Sequence, residues 1–448
     1  MTSLKKVAIR GAVWTIAGFG AIQILRFVNN LILTRLLVPE YFGLMALVIT
    51  FRVALELFSD VGLGQNIVNS KRGDEPSFLN TAWTIQVIRG FAIFILCIPL
   101  SFPIANFYND QRLLWLVPIV LLSSALDGFS STSIHTLHRR MELGKYAIYE
   151  VMLQTSYLCT LIFLVWLYPT IWTLAIGTVI LIVYKVVSSY WLIPGYSNRF
   201  EWDKDAVKEI LSFGKWMFVS SALMFVADQV DRLVLAKIFS FQILGVYTVA
   251  YTLASIPKEI VRQLSHRVIF PTISQKADLP RSSLREKILR QRRLILIGFA
   301  IALAVLVTIG DLFVATLYDQ RYSAATWMMP ILCVGLWFSI LFYSMYPALL
   351  AIRKPVYSAF SNFARFGFIL IAVPWANASF GMLGAILVIS LSDLPLYVVN
   401  LYGLWREKLS CVVQDIQATA FFIAILALFL FIRHSLGFGI PIQTLIKI

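Results

Sequence analysis

Two stretches of the chain, "NNLILTRLLVPEYFGLM" at residues 29–45 and "DRLVLAKIFSFQILGVY" at residues 231–247, align without a gap. Four residue pairs match at a constant offset of 202 positions: Leu31, Leu33, Arg35 and Gly43 meet Leu233, Leu235, Lys237 and Gly245. Further along, the loop "FYNDQRLLWLVP" (107–118) resembles "LYDQRYSAATWMMP" (317–330). Chance similarity between leucine-rich helices is the alternative. A constant offset followed by a matching polar loop favours a true repeat, so we expect two related halves.

Composition indicates that both halves lie in a membrane. The 448 residues are 59% hydrophobic and 14% charged, with a mean hydropathy of +0.80. A soluble protein carries roughly 25% charged residues. The apolar residues form blocks long enough for a helix of roughly 20 residues to cross a bilayer. These blocks are 12–37, 41–64, 79–103, 113–135, 149–168, 171–194, 213–238, 243–266, 294–317, 324–350, 356–376, 380–403 and 416–432. We predict an all-α, polytopic membrane protein with about 12–14 transmembrane helices.

The net charge of +15 is distributed unevenly between alternate loops. One set of loops holds most of the Lys and Arg residues, including the basic segment 262–293. The other set holds only five: Arg35, Arg112, Lys237, Arg321 and Arg433. The positive-inside rule then predicts a cytoplasmic N-terminus. This distribution is a topology signal with some attraction to membrane lipids, and it excludes a nucleic-acid partner.

The repeat and the topology together predict the domain organisation. Both copies begin at the cytoplasmic face with six helices between them, so they are parallel repeats, as in secondary transporters. We predict an N-terminal lobe of six helices at 1–200 and a C-terminal lobe of six helices at 213–403. A charged, amphipathic cytoplasmic linker at 201–212 joins them. Residues 404–448 are expected to add one or more C-terminal helices.

The chain also resembles a known family. The segments "RGAVWTIAGFGAIQILRFVNNLILTRLLVPEYFGLMALVITF", "LFSDVGLGQNIV" and "VIFPTIS" are similar to Wzx-type polysaccharide repeat-unit flippases. These flippases belong to the multidrug/oligosaccharidyl-lipid/polysaccharide exporter superfamily. The resemblance implies a V-shaped pair of six-helix lobes in a bacterial inner membrane that opens alternately to each face. It implies an undecaprenyl-diphosphate-linked glycan as cargo, destined for O-antigen, capsule or exopolysaccharide, and downstream polymerase machinery as a partner.

Ionisable residues inside apolar helices are candidate site residues, because they face protein or trapped water rather than lipid. Arg26 shares a helix face with Asn29 and Asn30. The offset of 202 places these three over Asp228, Asp231 and Arg232. We therefore predict that both stripes line the central cavity that the resemblance implies. The alternative is that these side chains only join helices together.

Arginines are the predicted contacts of the cargo diphosphate, because a planar guanidinium matches phosphate oxygens in charge and geometry. The candidates are Arg26, Arg52, Arg89, Arg232 and Arg365. The alternative is that each arginine pairs with a helix carboxylate. Arg52 has Glu56 four residues later, and Asp228 has Arg232 at the same spacing, so both pairs can form on one helix face.

Carboxylates in the same helices are predicted to provide counter-charge or ion coupling. The candidates are Glu56, Asp127, Asp228 and Asp393, with Asp231 as the weakest. Coupling requires a carboxylate whose affinity for Na⁺ or H⁺ changes between two conformations. Salt bridges to neighbouring helices are the alternative. No nucleotide-binding or metal motif occurs in the sequence, so we expect no cofactor beyond such an ion.

Two other functions compete with flipping. A cation-coupled exporter of small molecules has the same architecture, but several mid-membrane arginines favour an anionic cargo. A membrane-embedded polymerase or ligase needs catalytic groups in a sizeable outward domain. The predicted outward loops, such as "LVPEY" and "YDQRY", are too short for one. We therefore expect a transporter and no enzymatic activity.

Overall fold

The protein is helical throughout its described length. The computed structural model describes residues 2–140, 142–193, 197–276 and 279–441; the side chains of 2–13, 15–16, 143, 213–221, 223–224 and 226–227 lie outside this description. Within these ranges there is no β-strand. Nine described segments are long and apolar enough to cross a membrane, and two shorter apolar helices accompany them. The predicted apolar blocks are helical for most of their length, although 113–135, 243–266 and 380–403 each extend over more than one helix. The predicted class, an all-α polytopic membrane protein, is confirmed.

The chain divides into two compact units, Met1–Phe225 and Val226–Ile448, called here the N-terminal and C-terminal units. Helix α9 runs through the boundary between them. In the N-terminal unit α5 packs against α2, α4 and α8. The helices of this unit are α1 (Thr2–Leu36), α2 (Pro39–Phe58), α3 (Leu63–Asn69), α4 (Pro76–Tyr108), α5 (Leu113–Asp127), α6 (Ser133–Arg139), α7 (Leu143–Leu167), α8 (Ile171–Ser189) and the first part of α9 (Lys204–Ile238).

The C-terminal unit is arranged around one largely buried helix, α14. Its helices after α9 are α10 (Phe241–Ala254), α11 (Ile256–Leu264), α12 (Phe270–Ser274), α13 (Arg281–Leu317), α14 (Ala325–Ala351), α15 (Val356–Ser390), α16 (Asp393–Arg406) and α17 (Val412–Ser435). Helix α14 contacts α10, α11, α13, α15 and α16. Helix α15 breaks at Gly381, whose φ of 61° is accessible to glycine at little cost.

The polar loops that carry the sequence repeat adopt the same local geometry in each unit. Asp110 accepts the main-chain N–H of Arg112 at 2.9 Å and pairs with its guanidinium at 2.6 Å. Asp319 does the same for Arg321, at 3.2 and 2.8 Å. Each aspartate thereby fixes the turn that precedes the next helix. The matching Asp-Gln-Arg sequences therefore form matching turns.

The segment that enters α9 is attached to the N-terminal unit. Residues 197–203 have no regular secondary structure, and the Asp203 carboxylate pairs with Arg72 at 2.5 Å and caps the first turn of α9. Ala206 and Ile210 pack into a cluster with residues of α3 and α4. Most of the predicted linker at 201–212 thus forms the start of α9, which begins at Lys204 and continues to Ile238 without a break in its helix.

Two buried ion pairs attach α17 to α13, one near each end of α17. Arg292 pairs with Asp415 at 2.5 Å, and Tyr397 donates to the same carboxylate at 2.7 Å. Arg433 meets both carboxylate oxygens of Asp311, at 2.5 and 2.6 Å. The predicted segment 404–448 therefore contains one helix that is built into the C-terminal unit; residues 442–448 lie outside the described part.

Candidate functional site

Charged residues predicted from the sequence gather in two places. Each place lies within one unit. Arg52, Glu56, Arg89 and Asp127 lie in or beside a cavity of the N-terminal unit. Asp228, Arg365 and Asp393 form an ionic cluster in the C-terminal unit. The remaining predicted residues lie along α1 and α9.

The cavity of the N-terminal unit has a volume of about 740 Å³, and charged, polar and apolar side chains line it. The end of α2, the middle of α4 and the end of α5 form one part, while α3, α6 and Lys185 of α8 form the rest. Close packing of α4 on α5 requires Gly90, because a Cβ there would lie 2.6 Å from the carbonyl oxygen of Ser124. The imidazole of His135 likewise fills the space that a side chain at Gly64 would need, at 2.9 Å.

Glu56 is held in this cavity by neighbours on its own helix and on α5. Arg52 donates to the Glu56 carboxylate at 2.8 Å, which confirms the predicted pair on one helix face. Ser124 donates to the same oxygen at 2.7 Å. Glu56 keeps 30% of its side chain exposed, so the cavity admits water to this carboxylate.

Asp127 is held by a cation that the sequence analysis missed. Lys185 pairs with the Asp127 carboxylate at 2.7 Å, and Ser130 donates to it at 2.8 Å. Lys185 and Asp127 are 31% and 32% exposed. The amide of Gln86 donates to three main-chain carbonyls of the turn after α5, each at 3.1 Å. This turn therefore has a fixed position in the cavity wall.

Arg89 differs from the other cations of the cavity in its partners. Its Nε donates to the hydroxyl of Ser59 at 3.0 Å, and its Nη2 donates to the main-chain carbonyl of Glu56 at 2.6 Å. Both acceptors are neutral. Among the described residues, no carboxylate lies within 4 Å of this guanidinium.

Asp393 is the centre of the buried cluster in the C-terminal unit. Lys258 of α11 and Arg365 of α15 each approach its carboxylate at 2.9 Å, and Ser339 of α14 donates to it. All four residues are buried. The sequence repeat places Lys258 where Glu56 stands in the first half, so the two units carry opposite charges at equivalent positions.

Asp228 lies at the edge of this cluster and is held more loosely. Arg365 approaches it at 3.4 Å and Arg262 at 3.7 Å. The predicted pairing of Asp228 with Arg232 is wrong, because Arg232 donates to Gln229 at 2.9 Å instead. The cations next to Asp228 are therefore Arg262 of α11 and Arg365 of α15, and not Arg232, which helical spacing along α9 had predicted.

The other polar residues of α1 and α9 differ in exposure. Arg26 is exposed, while Asn29 and Asn30 are half-buried. Asp231 is 4% exposed and accepts a hydrogen bond of 2.6 Å from Tyr247. Asp231 is therefore as inaccessible as Asp393, which is also 4% exposed.

Sequence reasoning missed Lys185 and the burial of Lys258. Lys185 is a single lysine within the apolar block 171–194, so the rule applied to the arginines identifies it as well. Lys258 stands near the end of an apolar block, where basic residues normally mark topology. Its pairing with Asp393, which is 135 residues away, has no signal in the local pattern.

The fold is shared with solved membrane transporters. The lipid II flippase MurJ, in an inward closed conformation, matches with a TM-score of 0.69 and 12% identity, over 95% of this chain and 99% of MurJ. An inward-facing multidrug resistance MATE family transporter of the MOP superfamily matches with a TM-score of 0.67 and 15% identity, over 88% of this chain and 98% of that one. The chain therefore has the fold of this transporter class. It belongs to the family described as polysaccharide biosynthesis proteins, whose profile matches residues 32–326.

Three relatives from bacteria carry names from polysaccharide assembly. The teichuronic acid biosynthesis protein TuaB of Bacillus subtilis is 24% identical over 75% of this chain and 69% of TuaB. The lipopolysaccharide biosynthesis protein WzxC of Escherichia coli is 23% identical over 74% of this chain and 67% of WzxC. The succinoglycan biosynthesis transport protein ExoT of Rhizobium meliloti is 24% identical over 60% of this chain and 54% of ExoT.

Proposed function

We propose that this protein moves an undecaprenyl-diphosphate-linked oligosaccharide repeat unit from the cytoplasmic to the periplasmic leaflet of a bacterial inner membrane. Its N-terminus is cytoplasmic in this proposal, and a downstream polymerase joins the delivered units. The movement is transport without covalent chemistry. Proton or sodium coupling supplies the driving force.

The observation that carries the proposal is family membership across residues 32–326, on a transporter fold. The relatives are named for three chemically different polysaccharides. What such pathways have in common is that sugar units must cross a membrane. Hydroxyl groups are costly to place in hydrocarbon without hydrogen-bond partners, so a polar path through a helix bundle is needed.

The geometry separates the predicted cargo contacts into two groups. Arg52 and Arg365 already pair with carboxylates, which supports a structural role for them. Arg26 is exposed, and Arg89 bonds only neutral acceptors, so each can receive an anionic group. Arg26 is the proposed diphosphate contact, with Asn29, Asn30 and Arg232 as further polar contacts.

Asp228 is the proposed coupling residue. It is bound at longer distances than Asp393, so exchange of its partners disrupts fewer close contacts. Glu56, Asp127 and Asp393 provide counter-charge to the cations that they contact.

A deletion of the gene tests the proposal. Undecaprenyl-linked repeat units should accumulate on the cytoplasmic side while surface polysaccharide is lost, and a plasmid copy should restore both. Unchanged glycolipid pools in the deletion strain would refute the flippase function.

Export of cationic small molecules is the second candidate. The structural similarity to a multidrug resistance transporter favours it, as do the carboxylates in the cavity. New sensitivity of the deletion strain to cationic dyes, with normal glycolipids, would establish this alternative.

A further inference from the structure

We infer that the cavity of the N-terminal unit is a binding site for one acidic sugar residue of the cargo, with Arg89 binding the carboxylate of that sugar. This inference rests on the proposed function and specifies a substrate class for it.

The charge of the cavity is the first argument. Glu56 is paired with Arg52, and Asp127 is paired with Lys185. Asp60, the third carboxylate of the lining, accepts the main-chain N–H of Gly62 at 2.8 Å. The Arg89 guanidinium carries five N–H donors, of which only two are used in its bonds to Ser59 and Glu56. In the described part of the chain, this cation has no carboxylate within 4 Å. It therefore keeps both its charge and spare donors for an anion.

The charges around Arg89 select a carboxylate rather than a diphosphate. Glu56, Asp60 and Asp127 line the same cavity. A diphosphate brings two or more negative charges close to these carboxylates, and like charges at short range repel each other. A single carboxylate matches the one available guanidinium, and the bidentate geometry of such a pair adds directional strength.

The remaining lining residues suit a sugar. The amide and hydroxyl groups of Gln65, Asn69 and Ser131 line the walls together with the charged residues already described and with apolar side chains such as Leu63 and Ile93. These groups both donate and accept hydrogen bonds, as sugar hydroxyls require. The volume of about 740 Å³ also lies within the usual range of small-molecule sites. A hexuronic acid is the simplest ligand with one carboxylate and several hydroxyls.

The test measures binding of two sugars to the purified full-length protein in lipid nanodiscs. Calorimetric titration compares D-glucuronate with D-glucose, which has the same ring but no carboxylate. We expect glucuronate to bind at least about tenfold more tightly, the factor that one charge-assisted hydrogen bond provides. Equal affinities, or no measurable glucuronate binding, would overturn the inference.

Variants assign the preference to Arg89. Arg89→Gln should remove the preference for glucuronate over glucose, and Arg89→Lys should keep part of it. Arg199→Gln is the matched control, because Arg199 is 77% exposed and lies outside the cavity. A preference that survives in folded Arg89→Gln contradicts the assignment. If that variant does not fold, loss of all preference in folded Arg89→Lys contradicts it instead.

Inorganic phosphate is the third ligand. It should compete with glucuronate only weakly, and tighter Arg89-dependent binding of phosphate would overturn the choice of a carboxylate. These titrations involve no translocation, so their failure leaves the flippase proposal intact. Conversely, normal glycolipids in the deletion strain would refute the flippase even if glucuronate binds.

Discussion

At the scale of single residues, the buried charges determine which substitutions the protein tolerates. Asp393 faces two cations and a hydroxyl in a buried environment. Removing one partner of such a cluster leaves charges without solvent or counter-ion, which costs far more than the intact pairs contribute.

Asp393→Asn should therefore destabilise the protein by about 3–5 kcal/mol, because Lys258 and Arg365 lose their shared carboxylate. Asp127→Asn is the matched control. Its carboxylate is one-third exposed, so water can solvate Lys185 and the loss should stay below about 1 kcal/mol. Thermal unfolding in detergent measures both. Equal melting temperatures for the two variants would contradict the assignment of Asp393 as the centre of a buried cluster.

Arg26 gives a functional prediction at the same scale. Because its side chain is exposed, Arg26→Ala should leave expression and melting temperature unchanged. It should abolish flipping if Arg26 contacts the diphosphate. Complementation of the deletion strain measures this, with Arg199→Ala as control. Normal amounts of surface polysaccharide in the Arg26→Ala strain would contradict a contact between Arg26 and the diphosphate.

Residue pairs show what the sequence can predict and what it cannot. The Arg52–Glu56 pair follows from helical spacing, since both residues lie on one face of α2. The same spacing predicted Asp228 with Arg232 and failed, because α11 and α15 bring Arg262 and Arg365 to Asp228. Spacing describes one helix, whereas the partner of a buried charge depends on which helices pack together.

At the scale of helices, small residues set the closest approaches. A Cβ on Gly335 of α14 would overlap the main-chain oxygen of Ser390 in α15. This oxygen belongs to the backbone, so relief requires the helices to separate.

Gly335→Ala should consequently destabilise the protein by about 1–3 kcal/mol through overpacking. Gly367→Ala is the control, since none of the described residues outside its own helix has an atom within 4 Å of that Cβ. Alanine is a better helix former than glycine, so Gly367→Ala should be neutral or stabilising by up to about 1 kcal/mol. Melting temperatures measure both, and a tolerated Gly335→Ala would contradict the close packing.

The start of α9 should respond to pH. The hydrogen bond from Arg72 holds the pKa of Asp203 below its ordinary value. A lowered carboxylate pKa stabilises the folded state above the ordinary pKa of about 4, and this contribution disappears as the pH falls through the folded-state pKa. Cleavage of residues 197–203 by an acid-stable protease should accelerate in that acidic range. In the Asp203→Asn variant this cleavage should be fast at every pH. A cleavage rate of the wild-type protein that does not change with pH would contradict the attachment of this segment to the N-terminal unit.

At the scale of the whole molecule, hydropathy predicted the fold class because membrane helices must satisfy their backbone hydrogen bonds internally. The repeat predicted matching turns at Asp110 and Asp319, and both form. The incorporation of α17 could not be predicted, because it depends on the ion pairs of Asp311 with Arg433 and of Asp415 with Arg292, whose members lie more than 120 residues apart along the chain. The cavity in the N-terminal unit likewise combines six separate helices.

The predicted lobes at 1–200 and 213–403 remain predictions, as does alternate opening to the two faces. Two lobes that open alternately are the arrangement expected of a protein that transports its cargo without catalysing a reaction. Polar groups enclosed by apolar helices fit such a role, because a hydrophilic cargo needs partners at every depth of the membrane.

Translocation by the purified protein tests the central claim most directly. Proteoliposomes containing the protein receive a fluorescent undecaprenyl-diphosphate oligosaccharide, and a membrane-impermeant quencher reports how much of it reaches the opposite leaflet. We predict translocation that is faster than in protein-free liposomes and that Arg26→Ala abolishes. Equal rates with and without the protein, together with uptake of a cationic dye in the same proteoliposomes, would contradict the flippase function.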